Sequence, residues 1–202
     1  MASAHHPTKE KLIETTARLL RSKSRAELSS ELILSESGIS KGSLYHHFED
    51  LDHLIEQAML KRYTDWVDVS ISSMTDLVTR AKSREDLVEI LISTTKRTQD
   101  PAAKSERIHR AEVLAMAAAS PRFAIFLSQA QQRLTDSLTD LIREVQEIGF
   151  FNKELDPHVM AVFIQAYTLG KVVDDFSDDR MDAENWNSLI NTVILKVFAA
   201  PE

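Results

Sequence analysis

The sequence predicts an all-α protein: nine helices, divided into an N-terminal domain over 1–50 and a larger helical domain over 51–202. Three observations predict it. Apolar residues recur every three to four positions along most of the chain, which is the spacing of one face of a helix. Four Gly and five Pro in 202 residues are too few for the many turns of a β fold. The gaps between apolar stripes carry helix-start chemistry, a Ser or Asp that is followed by Pro at Asp100-Pro101, Ser120-Pro121 and Asp156-Pro157.

The first helix is expected over 8–22, where Leu12, Ile13, Thr16, Ala17, Leu19 and Leu20 form a stripe and Thr8 is placed to cap it. Ser22-Lys23-Ser24-Arg25 breaks the stripe and reads as a loop. Ser29 suits the N-cap of a short helix over 30–37, with Leu28 and Ile33 spaced as a hydrophobic staple. Gly38 then supplies a left-handed turn, and Ser40 caps a third helix over 41–47. Two short helices joined by a tight Gly turn, with a third before them, follow the helix-turn-helix plan.

Asp50 caps a long helix over 51–81, whose stripe runs from Leu51 through Leu54, Tyr63, Trp66 and Met74 to Val78. Ser83 followed by Asp86 starts a helix over 84–99. The three cap-plus-Pro pairs start helices over 101–118, 121–148 and 157–175, and Gly149 ends the second of them. Asp182 caps the last helix, 183–199. The acidic run Asp174-Asp175 and Asp178-Asp179 lacks the alternating ligand spacing of a calcium loop and reads as a solvated turn.

Composition narrows the function. There is no Cys, so disulfides, thiolate metal sites and cysteine nucleophiles are excluded. No apolar run approaches a membrane span and no signal-peptide core follows the N-terminus, so a soluble cytoplasmic protein is expected. The net charge is −7, yet residues 1–28 are locally basic through Lys9, Lys11, Arg18, Arg21, Lys23 and Arg25. No phosphate loop, nucleophile elbow or paired-histidine zinc motif is present, and no enzyme, metal or cofactor is expected. His46 and His47 are neighbours on a helix and point about 100° apart, which does not suit a shared metal.

The densest polar stretch is Gly38-Ile39-Ser40-Lys41-Gly42-Ser43-Leu44-Tyr45-His46-His47-Phe48. Leu44 and Phe48 are four apart and share a face, so they are expected to seat the helix on its neighbours. Ser29, Ser40, Lys41, Gly42, Ser43, Tyr45 and His46 remain as candidate DNA-binding residues. Lys41 and Ser43 are placed for base edges or phosphates, Gly42 for close backbone approach, and Tyr45 and His46 for phosphates.

With Ile33-Leu34 before it, this stretch resembles the signature of TetR-family transcriptional regulators, closely over 29–48 and in helix layout over the whole chain. Leu51 departs from the family pattern, standing where many members carry a phosphate-binding Lys. The resemblance implies a ligand-responsive repressor that binds a palindromic double-stranded DNA operator. It implies a homodimer through helices 157–175 and 183–199, and a small-molecule effector whose binding releases the DNA. An apolar pocket is expected to involve Trp66, Met74, Leu91, Arg110, Met116, Phe126, Phe163 and Tyr167, with the long helix from Leu51 as the lever. The alternative is a helical dimeric protein-interaction module that has lost DNA binding, suggested by Leu51 and by Glu31, Glu36, Glu49, Asp50 and Asp52 around the motif.

Overall fold

The computed structural model describes residues 6–199. Among those residues the protein is helical, and its only extended pairing is an isolated bridge between Phe151 and Ala199. The helices are α1 (Pro7–Leu19), α2 (Ser30–Ser37), α3 (Lys41–His47), α4 (Leu51–Arg80), α5 (Arg84–Gln99), α6 (Lys104–Ala119), α7 (Pro121–Ile148), α8 (Pro157–Gly170), α9 (Val172–Asp175) and α10 (Ala183–Val193).

The chain forms two compact units, Met1–Trp66 and Val67–Glu202. The division therefore falls within α4 and not at its start. The reason is that the first turns of α4 supply Leu54, Ile55, Ala58, Met59 and Tyr63 to the buried set of the first unit. Arg62 reinforces this by donating from Nη1 to the Leu20 carbonyl at 2.8 Å.

In the first unit α1 packs against α2 and α3. Leu12, Ile33, Leu44 and Leu54 are fully buried, and Phe48 is nearly so. The expected caps are in place. Ser29 Oγ accepts from Leu32 N, Ser40 Oγ from Ser43 N, and Asp50 Oδ1 from His53 N. Gly38 has φ +66°, a left-handed conformation that costs glycine little. Two details differ from the sequence reading. Pro7, not Thr8, opens α1, with His6 as an N-cap that makes no side-chain bond. The expected loop after Ser22 contains a 3₁₀ turn over Arg25–Glu27, because Ser24 and Glu27 cap each other.

In the second unit α7 packs along α6 and α8, and α10 along α5. Ser120, Asp156 and Asp182 cap α7, α8 and α10, and Gly149 (φ +93°) ends α7. The buried Gln146 amide donates to the Asn152 and Leu155 carbonyls, each at 2.8 Å, and so shapes the turn before α8. Pro101 opens a 3₁₀ turn, Pro101–Ala103, ahead of α6, since Asp100 caps Ala102 N there. The helix expected over 157–175 is interrupted at Lys171, whose Nζ reaches Asp174 at 3.1 Å. The last helix passes into a π turn over Ile194–Phe198. Asp175 is buried, so the reading of its acidic run as wholly solvated is corrected. The Arg107 guanidinium accounts for the burial, as two hydrogen bonds to the carboxylate replace its hydration.

Candidate nucleic-acid interface and effector region

Helix α3 has two sides. Leu44 and Phe48 face the core, and Lys9 lies over the Phe48 ring at 5.8 Å. Ser40, Lys41, Gly42, Tyr45 and His46 are exposed, and Ser43 is half-buried. Tyr45 leaves 49% of its surface in solvent, an unusual placement for a large ring with no core role. A Cβ added at Gly42 would meet nothing within 4 Å, so nothing inside the protein requires glycine there. The open backbone at Gly42 suits close approach of a second molecule.

The cap serines are partly engaged. Ser40 and Ser43 hydroxyls lie 2.9 Å apart. Glu31 is held in its charged form, below the ordinary carboxylate pKa, by its own backbone N–H and then by the Ser29 and Ser30 hydroxyls. The Ser29 hydroxyl is therefore already engaged, by Glu31 and by Leu32 N. His47 packs edge-on against His6 at 4.2 Å and His46 at 5.0 Å. Burial lowers its pKa first, followed by repulsion from His6, His46 and Lys9.

The acidic residues near the motif have specific partners. Arg18 Nη2 pairs with Glu36 at 2.9 Å and Arg25 Nη2 with Asp52 at 2.8 Å. Both pairs are exposed, so a phosphate can exchange for the carboxylate at small cost. These pairings were not legible in the sequence, because the partners lie 18 and 27 residues apart on different elements.

The residues expected to line an effector pocket fall in several places. Trp66 is half-buried in the first unit, with its ring 5.5 Å from that of Tyr63. Met74, Leu91, Arg110 and Met116 are half-buried in the second. Tyr167 is half-buried, and its hydroxyl lies 3.1 Å from Thr95 Oγ1. Burial pushes its phenol pKa up, partly offset by the Thr95 bond. Phe126 and Phe163, expected in the pocket lining, turn outward, 45% and 41% exposed. The buried stripe of α7 runs through Phe123, Leu127, Ala130 and Leu134, and Phe126 sits one residue off it. On α8, Met160 and Ala161 are buried while Val159, Val162 and Phe163 face out. An open groove on the outside of α7, lined by Gln129, Gln132, Arg133 and Asp136 among others, contains none of the expected pocket residues.

The interior of the second unit is more polar than an apolar pocket requires. Gln131 Nε2 donates to Gln165 Oε1 at 2.7 Å, and Gln165 Nε2 donates to Thr135 Oγ1 at 3.1 Å. Trp186 Nε1 donates to Gln99 Oε1 at 3.1 Å. No helix among the described residues is long and apolar enough to cross a membrane.

Comparison with known proteins bears on both units. The family described as "Bacterial regulatory proteins, tetR family" matches residues 12–58. The HTH-type transcriptional regulator UidR of Escherichia coli (strain K12) is 20% identical over 179 residues, 89% of this chain and 87% of UidR. A Mesorhizobium loti protein described as a TetR-family regulator superposes with a TM-score of 0.72 at 17% identity, over 96% of this chain and 97% of that one. A Saccharomonospora viridis protein solved in complex with choline superposes with a TM-score of 0.69 at 16% identity, over 96% and 98% of the two chains.

Proposed function

We propose that this chain is a TetR-family transcriptional regulator, a homodimeric repressor released from a palindromic operator by a small-molecule effector. The observation that carries the reading is the two-sided α3. Leu44 and Phe48 fix the helix from below, and Ser40, Lys41, Gly42, Tyr45 and His46 are left exposed above. Lys41 and Ser43 read base edges, and Ser29, Ser40, Tyr45 and His46 hold phosphates. Two such helices related by a two-fold enter successive major grooves about 34–36 Å apart.

The dimer is supported by the outward apolar residues of the last helices. Val159, Val162 and Phe163 on α8 and Leu189 on α10 are each at least 41% exposed, an apolar surface that a second copy would cover. The effector site belongs to the second unit, where Leu91, Met116 and Tyr167 supply an apolar lining with one hydroxyl. The complex of the Saccharomonospora viridis relative with choline supports a small-molecule ligand for this fold. An effector acts by preferring the conformation of the dimer that does not fit the operator.

A gel shift with DNA from upstream of the chain's own gene tests the reading. A regulator gives a sequence-specific shift that weakens steeply with salt. A shift that is equal for every duplex, or absent for upstream and randomised DNA alike, would count against it.

A further inference from the structure

Helix α10 carries two asparagines where its neighbours are core. Ile190 and Ile194 are buried at 4% and 3% exposure, and Asn187 and Asn191 lie on the same inward stripe at helical spacing. The Oδ1 atoms of both asparagines are buried and no protein donor reaches them. A buried amide oxygen without a donor is costly. Two of them one turn apart, with side chains that face the same way, indicate donors that arrive from outside the chain.

A second copy seated on the outward apolar surface would lie on the opposite side of α10 from this stripe. The residue that faces away from it, Leu189, is 56% exposed and belongs to the outward apolar surface. Around the stripe the second unit offers further neutral polar groups, the Thr95–Tyr167 hydroxyl pair and the Gln99–Trp186 pair. The guanidinium beside Gln99, that of Arg107, which binds the Thr98 and Asp100 carbonyls, is already neutralised by Asp175 and so does not call for an ionised ligand. Leu91 and Met116 add apolar surface in the same unit.

We propose that Asn187 and Asn191 form the polar end of the effector site and select a neutral ligand that donates hydroxyl or N–H hydrogens to their side-chain oxygens. The inference rests on the effector reading above and gives it a ligand class, an apolar body with two donors spaced to meet successive turns of one helix.

Thermal denaturation of the full chain with a matched pair of probes tests it. Cyclohexane-1,4-diol has two donors, and cyclohexane-1,4-dione has the same ring and only acceptors. The diol raises the melting temperature by about 2–4 °C near saturation and the dione leaves it unchanged. The double variant Asn187→Leu/Asn191→Leu loses the diol response. Without probe it melts at or above the parent, because the lost Oδ1 atoms accepted no internal bond. An equal response to the dione, no response to either probe, or a diol response kept by the variant overturns the proposal. So does a variant that melts well below the parent, since the amides would then be bonded to structural water. Running the operator shift on the same samples separates the two readings. A specific shift without a diol response removes this inference alone, whereas loss of the specific shift removes the regulator reading.

Discussion

Arg107 and Asp175, 68 residues apart, are joined by a two-pronged ion pair: Nε donates to Oδ2 at 2.7 Å and Nη2 to Oδ1 at 2.9 Å. The third nitrogen, Nη1, donates to the carbonyls of Thr98 and Asp100 at 2.9 and 3.1 Å. Lys104 Nζ donates to the Asp175 carbonyl at 2.8 Å. One buried guanidinium thus ties the end of α5 and the start of α6 to α9.

Asp175→Ala should be among the most destabilising single changes in the second unit. It leaves the Arg107 charge buried at 2% exposure without a counter-ion, at a cost of about 3–5 kcal/mol. Urea unfolding measures it. A loss under 1 kcal/mol (about the worth of an exposed pair) would show that the pair does not hold these elements together.

The same pair makes stability depend on acid. Asp175 has its pKa lowered, first by the Arg107 hydrogen bonds and then by the charges of Arg107, Lys171 and Lys104, against an opposing push from burial. A carboxylate with a depressed folded pKa contributes stability that is fully present above its unfolded pKa of about 3.9. That contribution is lost as pH falls through the lower folded value. Unfolding free energy of the parent should therefore drop below about pH 4 more steeply than that of Asp175→Ala.

Gly38→Ala should destabilise the first unit by about 1–2 kcal/mol, because φ +66° strains any residue with a Cβ. Nothing lies within 4 Å of the added carbon, so the cost is conformational and not steric. Gly42→Ala, at an open site on α3, should leave stability unchanged or slightly raised while weakening DNA binding. Comparing melting and DNA affinity for the two variants separates a structural glycine from an interface glycine.

Glu36→Gln and Asp52→Asn should release Arg18 and Arg25 from exposed pairs at 2.9 and 2.8 Å. Nonspecific DNA binding should tighten at low salt, and the slope of log affinity against log salt should steepen by about one for each freed arginine that reaches a phosphate. Titrations of a random duplex over a salt series measure this, and an unchanged slope would place both arginines away from the DNA.

Leu189→Asp with Val162→Asp should convert a dimer to a folded monomer, because it places charge in the outward apolar surface of α8 and α10. Sedimentation at several concentrations reads the result. A dimer that survives both changes would assign the interface elsewhere.

Much of the first unit is legible in the sequence because its rules are local. A cap acts within three residues, a left-handed glycine within one turn, and Leu44 and Phe48 share a face by spacing alone. Ser29, Gly38, Ser40 and Asp50 accordingly take the expected roles. The second unit depends on long-range chemistry. Nothing near Asp175 in sequence announces Arg107, and so the aspartate reads as solvated. The orphaned oxygens of Asn187 and Asn191 are defined by what does not reach them, which only three dimensions reveal. Phe126 reads as inner because aromatic side chains usually are, yet it lies one residue from the stripe through Phe123 and Leu127. The break at Lys171 has no strong signal beyond Gly170, whose low helix propensity weakens the helix there.

Whether the exposed face of α3 reads DNA is decided by the affinity of Lys41→Ala and Tyr45→Ala for a duplex that the parent selects from a randomised pool. Both side chains are exposed and neither contributes to the core, so both variants should remain folded with the parent's melting temperature. Each should bind the selected duplex roughly tenfold or more weakly. Parental affinity in both folded variants would show that this face of α3 does not contact DNA.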